Sequence, residues 1–394
     1  MPPDVRELLT KTAFRSMDVE QLLDPERPTW INFDPELGYL PDDVVMRDGL
    51  DNSVSTYTYA PTGERMIINH PDKPCRINTY GNSYTQCQQV SDGETWQEFL
   101  AAHIGEPIRN FGTGGQGIFQ IYKKVMRFEP TEVGAEYIIF NVFHDDHIRS
   151  LDVARWIRSA WNAAPPPPNK PRQIHGLPWA HLRFDLDKGG FVELPGLCKN
   201  GDDLRALCDP EHFYQTFKDD FIVRLFTLIN GGDVEVEEFE AIAEALGIEV
   251  DLRDPAKRRE GATKLHLEYG FRSTEYILDK MIPWAKEQGK KLILLLSYGM
   301  TRLPEVLAGE RFDQTFLDYL ANKDVSCIDC GMKHVEDFKL YNLSFEEYLE
   351  HYYVRAAAAA VFGHYNPIGN MFLAMSIKNE IIAALDPKPP AYAS

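Results

Sequence analysis

Hydrophobic and polar positions along this chain alternate between two periods. Short apolar runs recur, each followed by a helical stretch, and that succession predicts parallel strands joined by helices. Arg76 to Tyr80 alternates apolar and polar residues and predicts a strand that ends at Gly81. Ser91 and Glu94 have capping-box spacing, and Trp96, Phe99, Leu100 and Ile104 then repeat at helical intervals. Pro107–Phe111 reads as a second strand, followed by the loop Gly112-Thr113-Gly114-Gly115-Gln116-Gly117 and a helix over Ile118–Phe128. Tyr137–Phe143 is a short apolar run suited to a buried parallel sheet. It leads into His144-Asp145-Asp146-His147 and a helix carrying Val153, Trp156, Ile157 and Trp161.

Later in the chain the spacing predicts a helix over Thr274–Gln288, bent at Pro283, and a strand over Lys291–Leu296. It also predicts a helix over Phe312–Ala321 and a buried strand over Val325–Cys330. Ser344 and Glu347 cap a helix expected to reach about Ala360. Asn366 is a good N-cap and Pro367 a good first helical residue, so a last helix is expected from there to about Leu385.

Residues 1–74 read as a lead-in that packs on the core, with a helix over Val5–Phe14 and a hairpin of Thr56–Tyr59 with Arg65–Ile68. The core domain is expected over 75–394. The proline run Pro165–Pro168 opens an insertion placed at 165–272. Inside it His181–Leu186 and Gly190–Leu194 read as a hairpin, and helices are expected over Pro210–Ile229 and Val236–Leu246. The acidic stretch Asp233–Asp254 lacks the calcium-loop pattern and reads as a solvated helix face. The fold class is therefore α/β, a three-layer α/β/α sandwich with a mostly parallel, doubly wound sheet.

Charge narrows the function. A formal net charge of −19 over 394 residues argues against nucleic acid and against anionic membrane surfaces. No apolar run reaches the roughly 18 residues that a membrane span needs. Met1 to Arg6 lacks the basic-then-apolar pattern of a signal peptide, so a cytoplasmic location is expected. The six cysteines are too sparse for a disulfide scaffold. Cys327-x-x-Cys330 falls in an apolar run without a second such pair, so buried thiols are expected and no metal is assigned. Nothing in the sequence sets the oligomeric state.

The chemistry-bearing residues gather where strands are expected to end, which is where open α/β sheets bind ligands. Ser83 follows the first strand, and a serine there is a candidate nucleophile, although a lone Gly-x-Ser is most often only a turn. Gly112-x-Gly114-x-x-Gly117 formally matches a dinucleotide fingerprint. That reading leaves Gly81-Asn82-Ser83 and Gly363-His364-Tyr365-Asn366-Pro367 unexplained, and no cofactor is assigned. His144-Asp145-Asp146-His147 has metal-ligand residue types, but adjacent residues rarely converge on one ion. Arg149, Arg155 and Arg158 read as helix-surface charges, with an anion clamp as the minority reading.

Four blocks stand in sequential order: Gly81-Asn82-Ser83, Asn110-Phe111-Gly112-Thr113-Gly114-Gly115, His144-Asp145-Asp146-His147, and Gly363-His364-Tyr365-Asn366-Pro367-Ile368-Gly369. This order resembles the SGNH (GDSL-type) hydrolase superfamily over about 75–150 and 290–385. The resemblance implies Ser83 as nucleophile, His364 as its base, and backbone N–H groups of Ser83 and Gly115 as oxyanion donors. Asn82 and Gly114 join them as oxyanion- or substrate-binding residues. The sequence departs from the family twice. Asp145 or Asp146 stands where the family has an asparagine, and Val361 and Phe362 stand where it has the acid that orients the histidine. A carboxylate from elsewhere is then expected to serve His364, with Asp145 and Asp146 preferred over Asp329, and a Ser–His dyad as the remaining case. The implied activity is an esterase that removes an acyl group from a carbohydrate or another small polar ester through an acyl-enzyme. The alternatives are an acyltransferase on the same Ser–His site and a non-catalytic SGNH-like binding protein.

Overall fold

The computed structural model describes residues 4–26, 29–164, 168–355 and 363–392. Pro165–Pro167, the expected continuation of a helix to Ala360, and Val361 and Phe362 lie outside the described residues.

The chain is α/β. Five strands form an all-parallel sheet: β1 (Ile77–Tyr80), β2 (Arg109–Asn110), β3 (Tyr137–Phe143), β4 (Lys291–Ser297) and β5 (Ser326–Asp329). Their order is β5-β4-β3-β1-β2. This is the 2-1-3-4-5 order of flavodoxin-like doubly wound sheets, whose topological switch point lies between β1 and β3. Helices flank the sheet, among them Trp96–Ile104, which packs on Pro367–Ala384. The middle strands β1 and β3 are buried along their whole length. The polar residues of β1 are therefore not on a wet face. Asn78 donates to Glu129 and to the Val133 carbonyl, and Thr79 donates to the Arg109 carbonyl.

Contacts divide the chain into two compact units. One comprises Pro41–Gln116, Ile121–Asp146 and Leu278–Ser394 and contains the five-stranded sheet. The other comprises Met1–Leu40, Gly117–Gln120 and His147–Ile277. Its core gathers Leu8, Phe14, Trp156, Trp179, Phe213 and Phe217 around the helices Val5–Thr12 and Pro210–Phe217. The expected hairpin is present as His181–Asp185 against Gly190–Leu194.

Several expectations change. The helix expected over Pro210–Ile229 is two helices, Pro210–Phe217 and Phe221–Ile229, because Asp220 accepts from the Val223 N–H and caps a new start. The helix expected from Thr274 begins at Arg258 and runs to Glu287, with Pro283 inside it. Thr56–Tyr59 does not pair with Arg65–Ile68 as a full hairpin. Val54–Tyr57 pairs with Val44–Arg47, and only a Tyr59–Arg65 bridge remains of the expected one. The helix capped by Ser344 stops at Tyr352, since Val354 and Asn366 exchange backbone hydrogen bonds with His364 and Tyr352. β5 is the edge of the sheet, and Cys327 in it is exposed while Cys330 is buried. All six cysteines are free thiols. Among the described residues, no helix is long and apolar enough to cross a membrane.

Candidate active site

The carboxyl ends of β1 and β3 carry the first and third blocks. β1 ends in Gly81, Asn82 and Ser83, and Ser83 opens a short helix, Ser83–Gln86, that the sequence pattern did not predict. Asn82 is its N-cap: its side-chain oxygen accepts from the Tyr84 N–H at 2.8 Å. The other end of that amide donates to the Asp146 carboxylate at 2.8 Å. Both groups are buried. Gly81 is required by close approach, since a Cβ there would lie 2.0 Å from the Thr85 hydroxyl.

The glycine loop lies against this helix. The Thr113 N–H donates to the Gly81 carbonyl at 3.0 Å. The Gly114 N–H donates to the Gln86 side-chain oxygen at 2.7 Å. A Cβ on Gly112 would lie 2.1 Å from the Gln86 nitrogen, and one on Gly114 would lie 2.3 Å from the Gln88 side chain. In a dinucleotide fold such glycines leave room for a pyrophosphate. Here the protein's own chain fills that room, which weighs against the nucleotide reading.

Backbone donors in these two segments are nearly all engaged. The amides of Tyr84, Thr85, Gln86, Gly112, Thr113, Gly114, Gln116 and Gly117 each donate to a carbonyl or a side-chain oxygen. Among the described residues, those of Ser83 and Gly115 donate to none, although both residues are buried. Orphaned buried N–H groups are rare. Gly115 is held at φ 83, in the left-handed region that favours glycine. Of the three residues expected to bind the oxyanion or substrate, Gly115 has an unspent backbone N–H. The Asn82 side chain donates to Asp146, and the Gly114 N–H donates to Gln86.

The fourth block reaches the same helix. The Tyr84 hydroxyl donates to the Gly363 carbonyl at 3.1 Å, and the Tyr84 ring lies 5.2 Å from the His364 ring. Residues 83 and 364 are thus brought to one neighbourhood through Tyr84. Among the described residues, the Ser83 hydroxyl has no hydrogen-bond partner, the imidazole included. The side-chain oxygen of Gln89 accepts the His364 backbone N–H at 2.8 Å and meets its Nδ1 at 3.1 Å.

Of the carboxylates expected to serve His364, Asp146 and Asp329 hold other groups. Asp146 holds Asn82, and Asp145 is half-buried in the turn after β3. Asp329 accepts from Arg311 at 2.9 Å and caps the helix Cys330–Phe338 through the Met332 N–H. Nδ1 of His364 instead meets an amide oxygen. Gln89 carried no sequence signal, because it is recognisable only from its contact with a residue near the other end of the chain.

The remaining candidates disperse. His144 accepts from the Gly299 N–H at 3.2 Å, and His147 bonds the Thr274 hydroxyl at 2.8 Å. Among the described residues, no group of three or more His, Cys, Asp or Glu side chains is placed to hold a metal ion. Arg158 pairs with Asp152 through two of its nitrogens, which makes it a structural charge. Arg149 is buried, contrary to the surface position expected of it.

Comparison of the chain with protein-family models and with curated proteins gives no match.

Proposed function

We propose that this chain is a serine hydrolase of SGNH-like design, acting on an ester through an acyl-enzyme. The observation that carries the proposal is the pair of buried, unspent N–H groups on Ser83 and Gly115, in a helix and a loop whose other amides from Tyr84 to Gln86 and from Gly112 to Gly117 are engaged. Such donors suit an oxygen that becomes negative during the reaction. The parallel sheet in 2-1-3-4-5 order supports the same reading, since Ser83 follows β1 at the switch point.

The chemistry follows from those roles. The Ser83 oxygen attacks the acyl carbon, and its proton passes to Nε2 of His364. The carbonyl oxygen takes up the electron pair and is held by the two amides. Collapse expels the alcohol, which takes the proton from the imidazolium. Water, activated by the same base, then releases the acid. The substrate proposed is an acyl group on a carbohydrate or another small polar alcohol. An acceptor hydroxyl in place of water makes the same site an acyltransferase. The rival reading, a non-catalytic binding protein, draws on the neutral partner of His364.

Labelling with a fluorophosphonate probe tests the proposal. Wild-type protein is expected to label, and Ser83→Ala is expected not to. Labelling that survives in Ser83→Ala, or no labelling of the wild type, overturns it.

A further inference from the structure

We propose that Gln89 is the positioning residue of the site, setting His364 in the Nδ1–H tautomer in place of a carboxylate. The inference rests on the serine-hydrolase reading for its catalytic meaning and on geometry for its substance.

The Gln89 side chain is tied at both ends. Its Nε2 donates to the Asp48 carbonyl at 2.9 Å. Its Oε1 accepts the His364 backbone N–H at 2.8 Å. Turning the amide over would set NH2 against N–H and carbonyl against carbonyl, so the acceptor end faces His364. The same oxygen lies 3.1 Å from Nδ1 of His364. An amide oxygen has only lone pairs to offer, so a hydrogen bond there requires the proton on Nδ1. In the neutral ring the lone pair is then on Nε2, the form a general base for serine needs.

The backbone around Gln89 is shaped for this contact. Gln89 has φ 74 and Cys87 has φ 58, a region uncommon for residues other than glycine. Strained backbone of this kind persists only where its surroundings over-determine it. Here the buried Arg65 does so. Its guanidinium donates to the carbonyls of Gln86, Cys87 and Val90 and to the Asp92 carboxylate. The Gln89 N–H donates to the Tyr57 hydroxyl, which in turn donates to Asp48. A buried cation and a tyrosine thus fix the turn that positions the Gln89 oxygen. The partner of the histidine comes from the turn that follows the nucleophile, and it is uncharged. It fixes the tautomer without adding a negative charge beside the imidazolium.

Long-range 1H–15N spectra of the full chain with 15N-labelled histidine test this, with His364 assigned by its loss in His364→Asn. Wild-type His364 is expected in the neutral Nδ1–H form. Gln89→Leu is expected to release it towards the Nε2–H form. Gln89→Glu, which keeps an acceptor, is expected to retain Nδ1–H. On a hydrolysed ester Gln89→Leu should lower kcat on the order of a hundredfold or more with little change in KM. Wild-type His364 in the Nε2–H form overturns the proposal, as does an unchanged tautomer in Gln89→Leu. Should Gln89→Leu not fold, the wild-type and Gln89→Glu spectra decide, and loss of Nδ1–H in Gln89→Glu counts against it. The spectra need no substrate, so a failure of Ser83 to label removes the hydrolase reading and leaves this result standing.

Discussion

The Asp146 carboxylate accepts a hydrogen bond from the Asn82 side chain at 2.8 Å, joining the ends of two neighbouring parallel strands. Asn82 is also the cap of the helix that Ser83 opens, so one amide links the third block to the nucleophile. An acidic residue at the end of β3 has a use here that does not involve the imidazole.

This contact separates two roles for Asp146. As an anchor for Asn82, Asp146→Asn keeps an acceptor oxygen and should hold kcat within about tenfold of wild type. As the acid of His364, the same change should lower kcat by about 10⁴. The anchor role is the expected outcome. Asp146→Leu should in addition destabilise the fold by about 1–3 kcal/mol, because a buried amide donor is left unmade. Denaturant unfolding read beside ester turnover measures both.

Gly115 should be sensitive for two separable reasons. Its φ of 83 makes any side chain strained, so Gly115→Ala should cost on the order of 1–2 kcal/mol of stability. Displacing its N–H should also remove an oxyanion donor, lowering kcat roughly a hundredfold or more. A variant that unfolds more easily but turns over at the wild-type rate would show that the Gly115 amide has no part in the reaction.

His334 should make the protein acid-sensitive. It is 1% exposed, and its ring nitrogens bond the hydroxyls of Tyr348 and Tyr365. Tyr353 stacks on it and the Phe372 ring packs tilted against it, and Asp337 is held off by the hydroxyls of Tyr348 and Tyr352. Burial pushes its pKa down to about 3. In the unfolded chain the value returns to about 6.5, so between the two values the unfolded state binds more protons. The stabilising contribution of His334 is therefore whole above about pH 6.5 and is lost as pH falls, by about 1.4 kcal/mol per pH unit. Unfolding midpoints measured from pH 7 to pH 5 should decline, and more shallowly in His334→Asn. A His334 ring that titrates near pH 6.5 in the folded protein would rule this out.

The sequence by itself determined what local rules govern. The capping box Ser344–Glu347 forms as its spacing implies, the Ser91–Glu94 box forms on a short 3-10 turn just before the helix Trp96–Ile104, which Thr95 caps, and Asn366 with Pro367 starts the last helix. The helix Ile118–Phe128 and the strand Tyr137–Phe143 have the bounds that their apolar periods give them. In each case the deciding atoms lie within a few residues of one another, and a parallel sheet leaves buried runs that periodicity can find. Only the tertiary structure decided the rest. The order of the strands, the exposure of Cys327 at the sheet edge, and the stop at Tyr352 all depend on which distant segment lies alongside. Gln89 shows the reason most plainly. Its role exists because a strained turn, clamped by Arg65, carries one amide oxygen to a histidine 275 positions away, and no spacing along the chain encodes that meeting.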